Sequence, residues 1–298
     1  MGNSASLDDL FHAAVSAIDG GDIPELSRQL TAHPRLVSDR LETPGPWLRD
    51  KVGNALDNFF QRPFLLWFVA EDPVRNGVLP SNIAEVTQTI IRPAQQAAVA
   101  NLGEQLDYAL RLVSWSWIAR QCDVQIALID VLIDAGASPE GNPDNALVNS
   151  NFGAAAHLVD RGASLTLSTA LCLERWGDVD RLGAEATLRQ KQFALTLVAL
   201  KGKSEALRRI IGLGADVNSV SQDLYSHASP LHHAVSSGSL EAVELLVGAG
   251  ANLNARDTAY DGTPLDWAEY SGNKPQYAAI AAYLREVDAD RRTRSPRG

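Results

Sequence analysis

Three of the six histidines in the chain, His227, His232 and His233, lie in one short stretch, "YSHASPLHHAV". Imidazoles this close in sequence could bind a metal ion or exchange protons with a substrate. The spacing argues against both, because a helix is predicted to begin at Pro230 and neighbouring helical residues point about 100° apart. Neither His232 nor His233 is followed by a further ligand four residues later, where helical metal motifs have one. We therefore predict no metal site, and His227 alone is left to contact a partner.

The other stretches that are similar to catalytic or ligand-binding motifs match those motifs incompletely. "KGKS" at residues 201–204 is similar to the end of a phosphate-binding loop, but that loop needs a glycine where this chain has Leu197. Cys122 and Cys172 are fifty residues apart and form no C-x-x-C motif for a metal or for redox chemistry. A G-x-S-x-G nucleophile motif is absent from the sequence. The sequence thus predicts no catalytic residue, no metal and no cofactor.

Composition excludes further classes of protein. The chain has 298 residues and a net charge of −10, which argues against a nucleic-acid binder because such proteins need a basic surface to neutralise phosphates. The longest compact apolar block, "FLLWFVA", is far shorter than a membrane span, and the N-terminus lacks the features of a secretory signal. Gly2 and Ser6 fit the N-myristoylation pattern, which is short and frequent by chance. We expect a cytoplasmic protein that does not span a membrane.

An internal repeat accounts for most of the chain. Ser229-Pro230-Leu231 returns 34 residues later as Thr263-Pro264-Leu265, and the pattern Gly-Ala-Asp/Asn-x-Asn occurs at residues 214–218 and 250–254. A serine or threonine followed by proline suits the start of a helix. Gly238 and Gly250 then follow apolar helical patterns, where glycine ends a helix readily. The repeat therefore predicts two short helices in each unit.

This pattern resembles the ankyrin repeat family, and residues 229–254 match nearly every signature position of its unit. The resemblance implies an all-α fold, an ankyrin-repeat solenoid of about seven to eight helix-turn-helix units with short β-hairpin fingers. Weaker copies fill residues 10–30, 105–137, 145–163, 168–182, 193–218 and 263–285. We predict a single elongated ankyrin-repeat domain over residues 1–290, with divergent repeats at 7–140 and clearer ones at 141–287. Residues 288–298 are predicted to be a disordered tail.

What the resemblance implies about function is non-catalytic binding of another, unidentified protein through a concave groove and the finger tips. His232 occupies the family position whose histidine orders the neighbouring finger, so it is predicted to be structural. Tyrosine and tryptophan are the side chains that most often anchor protein interfaces. The candidate contact residues of the groove and fingers are Trp176, Tyr225, His227, Asp257, Tyr260, Asp261 and Tyr270.

A second hypothesis is a small-molecule-binding protein or an enzyme. Residues 71–82 form an insertion in place of a tight turn between two helices. Apolar walls with a few polar groups are what a ligand pocket requires, and this insertion has tryptophans nearby in the sequence. The candidate pocket residues are Trp67, Asp72, Arg75, Asn76, Trp115 and Trp117. A closed cavity beside the insertion would favour this hypothesis, and solid packing would count against it.

Overall fold

Local capping sets where many helices begin. Thr263 shows this best: its hydroxyl accepts the backbone N–H of Asp266 at 3.2 Å, and the Asp266 carboxylate accepts the backbone N–H of Thr263 at 2.8 Å. This reciprocal pair satisfies two N–H groups that a helix start would otherwise leave without partners. Pro264 follows at the first helical position, where its missing N–H costs nothing. The Thr-Pro motif predicted from the sequence is therefore a helix start.

The computed structural model describes residues 6–272 and 274–294, and it divides the chain into two compact units, residues 1–164 and 165–298. In the first unit three 3₁₀ helices accompany nine α-helices within the described residues. The 3₁₀ helices are Pro34–Val37, Gly53–Asp57 and Leu65–Ala70. The α-helices are α1 (Leu7–Gly20), α2 (Ile23–Ala32), α3 (Pro46–Val52), α4 (Ile83–Gln96), α5 (Leu102–Trp115), α6 (Trp117–Gln121), α7 (Gln125–Asp134), α8 (Asn142–Val148) and α9 (Phe152–Asp160).

The first unit consists of four stacked helix pairs. The first members of the pairs, α1, the 3₁₀ helix Leu65–Ala70, α5 and α8, pack in sequence order, and so do the second members, α2, α4, α7 and α9. Side chains such as Phe11, Phe68 and Leu110 are buried between these two layers. Stacking of this kind buries an apolar face that a single helix pair would leave exposed.

The second unit repeats this arrangement more regularly. Its first members, α10, α12, α14 and α16, pack on one another in order, while α13, α15 and α17 do the same in the second layer. Burial of Leu231 and Leu246, on α14 and α15, shows which faces meet. The helices are α10 (Leu167–Cys172), α11 (Trp176–Glu185), α12 (Leu188–Leu200), α13 (Ser204–Gly212), α14 (Pro230–Ser237), α15 (Leu240–Gly248), α16 (Pro264–Tyr270) and α17 (Pro275–Arg294). Eight pairs in the two units agree with the predicted number of repeats.

Two features differ from the sequence-based expectation. The described residues contain no β-strand, so the predicted hairpin fingers are turns and bends. Helix α17 continues to Arg294, so residues 288–294 are helical where a disordered tail was predicted. Residues 295–298 and Gly2, the first residue of the N-myristoylation pattern, lie outside the described residues. That the two units belong to one elongated domain stays a prediction.

No helix among the described residues combines the length and the apolar character needed to cross a lipid bilayer.

Candidate functional site

One asparagine side chain links two successive repeats in the second unit. We call residues 219–228 the first finger loop and residues 255–262 the second finger loop. Before the first loop, the Asn218 side chain donates to the Gly250 carbonyl at 3.1 Å, and the backbone N–H of Asn252 donates to the Asn218 Oδ1 at 2.7 Å. These bonds join the last residue of the pattern in one repeat to the first and third residues of the pattern in the next. The bonds explain why an asparagine is useful at the last position of the Gly-Ala-Asp/Asn-x-Asn pattern.

His232 fixes the end of the second finger loop. Its Nε2–H donates to the Gly262 carbonyl at 3.0 Å, and its Nδ1 accepts from the backbone N–H of Ser229 at 3.3 Å. The ring is fully buried, and burial lowers the pKa of His232, although the bond to the Gly262 carbonyl acts in the opposite direction. With a carbonyl at one nitrogen and an N–H at the other, the neutral ring satisfies both partners. Both ring nitrogens of His232 are therefore used in bonds within the unit, in agreement with the predicted structural role.

Trp267 gathers the three histidines into one aromatic cluster. The rings of His227 and His232 lie 6.1 and 5.0 Å from the Trp267 ring, and that of His233 lies 6.4 Å away. Tyr225 adds its ring at 5.8 Å from His233. Burial lowers the pKa of His233 to about 4, so its imidazole is neutral at pH 7. Within the described residues, no group of three or more potential ligands is arranged to hold a metal ion.

Asp257 is a buried anchor, which differs from the predicted role as a contact residue. Its carboxylate accepts the backbone N–H of Tyr260 at 2.7 Å and the indole N–H of Trp267 at 2.9 Å. It also accepts the backbone N–H of Ala259 and Gly262, both at 2.9 Å. Burial alone would raise the pKa of Asp257, but these hydrogen bonds outweigh it and lower the pKa to about 2. An aspartate bonded in this way shapes the second finger loop and is not available to a partner.

The side chains around this anchor point into solvent. Tyr260 and Tyr270 are 82% and 94% exposed, and Tyr225 and Asp261 are exposed as well. Tyr260, Tyr270 and Trp267 line a depression of about 550 Å³ on the surface of the second unit. The structure thus brings Tyr260 and Tyr270 together. His227 is joined to them through the ring of Trp267, and Tyr225 contacts His227 in turn.

Trp176 lies elsewhere, so its predicted place in the groove is not supported. It is the first residue of α11, a second-layer helix, and the guanidinium of Arg209 on α13 lies 4.5 Å from the centre of its ring. Glycine often ends a helix, so a sequence-based interpretation puts the break between the two helices of this unit at Gly177. In the structure the turn before α11 has its left-handed residue at Glu174, with φ 60°, and Gly177 is already helical. This shift of the break moves Trp176 from the end of the first helix to the start of the second.

The insertion at residues 71–82 is filled by its own ion pairs. The Arg75 guanidinium lies 2.8 Å from the Asp19 carboxylate and 3.1 Å from that of Glu71, and it also donates to the Phe68 carbonyl. The other Glu71 oxygen accepts the backbone N–H groups of residues 75, 76 and 77. The Asn76 side chain donates to Asp19 at 2.8 Å. Both charged side chains, Arg75 and Glu71, are buried in this network.

The tryptophans of the second hypothesis lie in different surroundings. Trp67 is buried and packs against Phe64 and Tyr108, with ring centroids 5.4 and 4.3 Å away. Trp115 is half-buried and contacts Phe59, while Trp117 is 46% exposed. A small cavity of about 50 Å³ does border Arg75, but none of the three tryptophans lines it. The cavity that borders the insertion is thus much smaller than the roughly 300 Å³ of an ordinary ligand site, which counts against a ligand pocket there.

Two residues of the surface depression, Trp267 and Asp266, were not among the predicted contact residues. The signal that could have identified them is their helical spacing from Tyr270, because residues three and four apart lie on the same helix face. Asp266 also caps the start of α16, and this structural role explains its presence without any contact to a partner. Sequence alone gave no reason to place its carboxylate beside exposed rings.

Comparison with known proteins identifies the repeats in the second unit. Residues 182–293 match the family model for ankyrin repeats in three copies. Potassium channels SKOR and GORK of Arabidopsis thaliana are 44% and 40% identical over 82 residues, which is 28% of this chain and 9% of each channel. The B-cell lymphoma 3 protein homolog of Mus musculus is 32% identical over 189 residues, 61% of this chain and 38% of that protein. The chain thus covers less than two thirds of the length of each of these relatives.

Among solved structures, the human ASB11 ankyrin repeat domain is similar at 19% sequence identity. The similarity covers 66% of this chain and 90% of that domain, with a TM-score of 0.35.

Proposed function

The chain is an ankyrin-repeat protein, and from that premise we propose that it is a non-catalytic module whose protein partner binds the aromatic surface of the second unit. We call this surface the aromatic patch and define it by Tyr225, His227, Tyr260, Trp267 and Tyr270. Ankyrin repeats generally mediate protein–protein interactions, which gives the proposal its starting point. The particular partner, and the cytoplasm as the place where the two meet, stay predictions.

The observation that carries the proposal is the exposure of two large aromatic side chains at one depression. Tyr260 and Tyr270 are 82% and 94% exposed, although a protein that worked alone would gain free energy by burying their rings. Tyrosine and tryptophan are enriched where partners bind, because they bury much area and lose little side-chain entropy. Trp267 is held rigidly beneath them by its bond to Asp257. The patch therefore has a rigid centre and an exposed aromatic rim.

Charge indicates what kind of partner surface would fit. The chain carries a net charge of −10, and the rim of the aromatic patch includes Asp261 and Asp266. His232 and His233 add no positive charge at pH 7, because burial lowers the pKa of each. A basic partner surface would be attracted to this region and an acidic one repelled.

Binding of a small molecule at the insertion is not favoured. That hypothesis requires an open space among Trp67, Trp115 and Trp117, and the structure has Trp67 buried and Trp117 facing solvent. The buried Arg75 is fully engaged by Asp19, Glu71 and the Phe68 carbonyl. A ligand would have to displace these bonds, so the protein-binding role is the one we retain.

The experiment is affinity capture from the native host with the full chain and with a triple variant. We expect the variant Tyr225→Ala, Tyr260→Ala, Tyr270→Ala to retain its helical circular dichroism, because all three side chains are exposed. Its captured partner should fall at least about tenfold, as expected when interface anchors are truncated.

The matched control is Trp117→Ala, an exposed aromatic of the first unit. It should capture the partner as well as the unchanged protein does. A triple variant that still binds the partner, or a loss caused by Trp117→Ala instead, would show that the patch is not the binding surface.

A further inference from the structure

The depression in the aromatic patch is lined by the kinds of side chain that bind cations. Tyr260, Trp267 and Tyr270 supply aromatic rings, and Asp266 supplies a carboxylate on the same rim. Its volume of about 550 Å³ falls in the range of roughly 300–1,000 Å³ that is typical of ligand sites. The faces of aromatic rings carry partial negative charge, which attracts a cation placed over them.

The base of the depression is fixed before any partner binds. The Trp267 indole N–H donates to the Asp257 carboxylate at 2.9 Å, and the ring packs against His232 from within the unit. Asp257 in turn holds the backbone N–H groups of Tyr260 and Gly262. A wall that is already ordered does not lose further conformational entropy when a ligand binds, so even a single inserted side chain can be bound.

Asp266 gives the depression its charge. Hydrogen bonds from the backbone N–H and the hydroxyl of Thr263 lower the pKa of Asp266, so its carboxylate is ionised at pH 7. Within the described residues both of these bonds end on Oδ2, and Asp266 forms no ion pair. The neighbouring acid Asp261, by contrast, is paired with Arg256 at 3.2 Å. The positive charge of Arg256 contributes to the lowered pKa of Asp266, but among the described residues no cation forms an ion pair with this carboxylate beside the rings.

We propose that this depression receives an arginine side chain of the partner, an inference that rests on the proposed protein-binding function. The guanidinium is planar and weakly hydrated, so it can stack on Trp267 or Tyr270 while its N–H groups donate to Asp266. A lysine ammonium is more strongly hydrated and would lose more on leaving water. An apolar side chain would cover the Asp266 carboxylate without replacing its hydrogen bonds to water, which is unfavourable.

The test begins with selection of random peptides against the full chain. Peptides that bind the unchanged protein and lose binding to the double variant Tyr260→Ala, Tyr270→Ala are kept, and Leu188→Ala, another exposed apolar position of the second unit, is the matched control. The kept peptides should share an arginine. Replacing that arginine by citrulline, its neutral isostere, should weaken binding about tenfold or more, about 1.4 kcal/mol, and lysine should fall between the two.

A second variant ties the effect to the carboxylate. Asp266→Asn should reduce the difference between arginine and citrulline peptides to less than about threefold, because the charge that distinguishes them is gone. Kept peptides without an arginine, or with an arginine that tolerates citrulline, would overturn the inference and leave the binding surface in place. A selection that yields no peptide dependent on Tyr260 and Tyr270 would contradict both the inference and the proposed function.

Discussion

Asp257 and Asp72 are both loop carboxylates, yet their surroundings shift their pKa values in opposite directions. Around Asp257 several N–H donors overcome the effect of burial and lower the pKa to about 2. Around Asp72 burial, with a smaller contribution from the charge of Glu71, raises the pKa to about 6. The first environment stabilises the ionised group and the second destabilises it. At this scale hydrogen bonding, and not residue type, decides the role of each aspartate.

We predict that Asp72→Asn stabilises the first unit at neutral pH. The folded pKa of about 6 lies above the ordinary 3.8, so the folded state binds more protons between these values. The free energy of unfolding therefore falls as pH rises from about 4 to about 6, and the penalty persists above that range. Because asparagine carries no charge, the variant should exceed the unchanged protein by about 1–2 kcal/mol at pH 7.5 and match it near pH 4.

Urea unfolding at several pH values measures this difference. Asp50→Asn, at an exposed position of the same unit, is the control and should change stability by less than about 0.5 kcal/mol at either pH. An equal difference between the Asp72 variant and the unchanged protein at pH 4 and pH 7.5 would disprove the assignment.

Residues with a left-handed backbone determine where several helices end. Gly238 follows α14 with φ 74°, and Gly250 follows α15 with φ 93°. Where the sequence offers no glycine at the turn, another residue takes this conformation, as Glu174 does before α11. Left-handed backbone is open to glycine without strain and costs other residues free energy. The place of the turn decides which side chains face outward, as the displaced Trp176 shows.

We predict that Gly250→Ala destabilises the second unit by about 1–2 kcal/mol. A Cβ at Gly250 would meet no atom within 4 Å, so the cost comes from the backbone alone. The matched control is Gly248→Ala, two residues earlier at the end of α15, where φ is not left-handed. That change should be neutral or stabilising by up to about 1 kcal/mol. Thermal or urea unfolding distinguishes the two, and equal effects would mean that the φ value is not the cause.

The net charge of the whole chain gives rise to a long-range electrostatic attraction for basic molecules. A net charge of −10 produces a field that would act on the proposed partner before it makes contact. Salt screens such long-range attraction, since the Debye length is about 10 Å at 0.1 M ionic strength and about 3 Å at 1 M. Contacts formed after docking, such as stacking on Trp267, are screened much less. Charge should therefore govern how fast a partner arrives, and the aromatic patch how long it stays.

We predict that salt slows association of the captured partner more than it affects dissociation. Between about 0.05 and 0.3 M NaCl the association rate constant should fall several-fold, whereas the dissociation rate constant should change less than about twofold. Surface plasmon resonance with the full chain measures both constants. An association rate that rises with salt would contradict the expected attraction between an acidic chain and a basic partner.

Most of the repeat architecture was predictable, whereas only part of the candidate site was. The spacing of Ser229 and Thr263 located two helix starts, and Gly250 located a helix end, because caps and left-handed turns depend on a few adjacent residues. The exposure of Tyr260 and Tyr270 was also expected. The burial of Asp257 was not, because its partners include a tryptophan ten residues away on another element.

By itself the sequence determined the helix pairs and their repeat, since helix caps, glycine turns and apolar periodicity are local properties. The structural position of His232 followed from the resemblance to the ankyrin repeat family. Only the tertiary structure decided that Arg75 fills the insertion, that Trp176 belongs to the second layer, and that Trp267 joins the finger loops into one surface. These outcomes depend on which side chains from distant segments meet. Burial and ion pairing depend on these long-range contacts, and no short stretch of sequence specifies which contacts form.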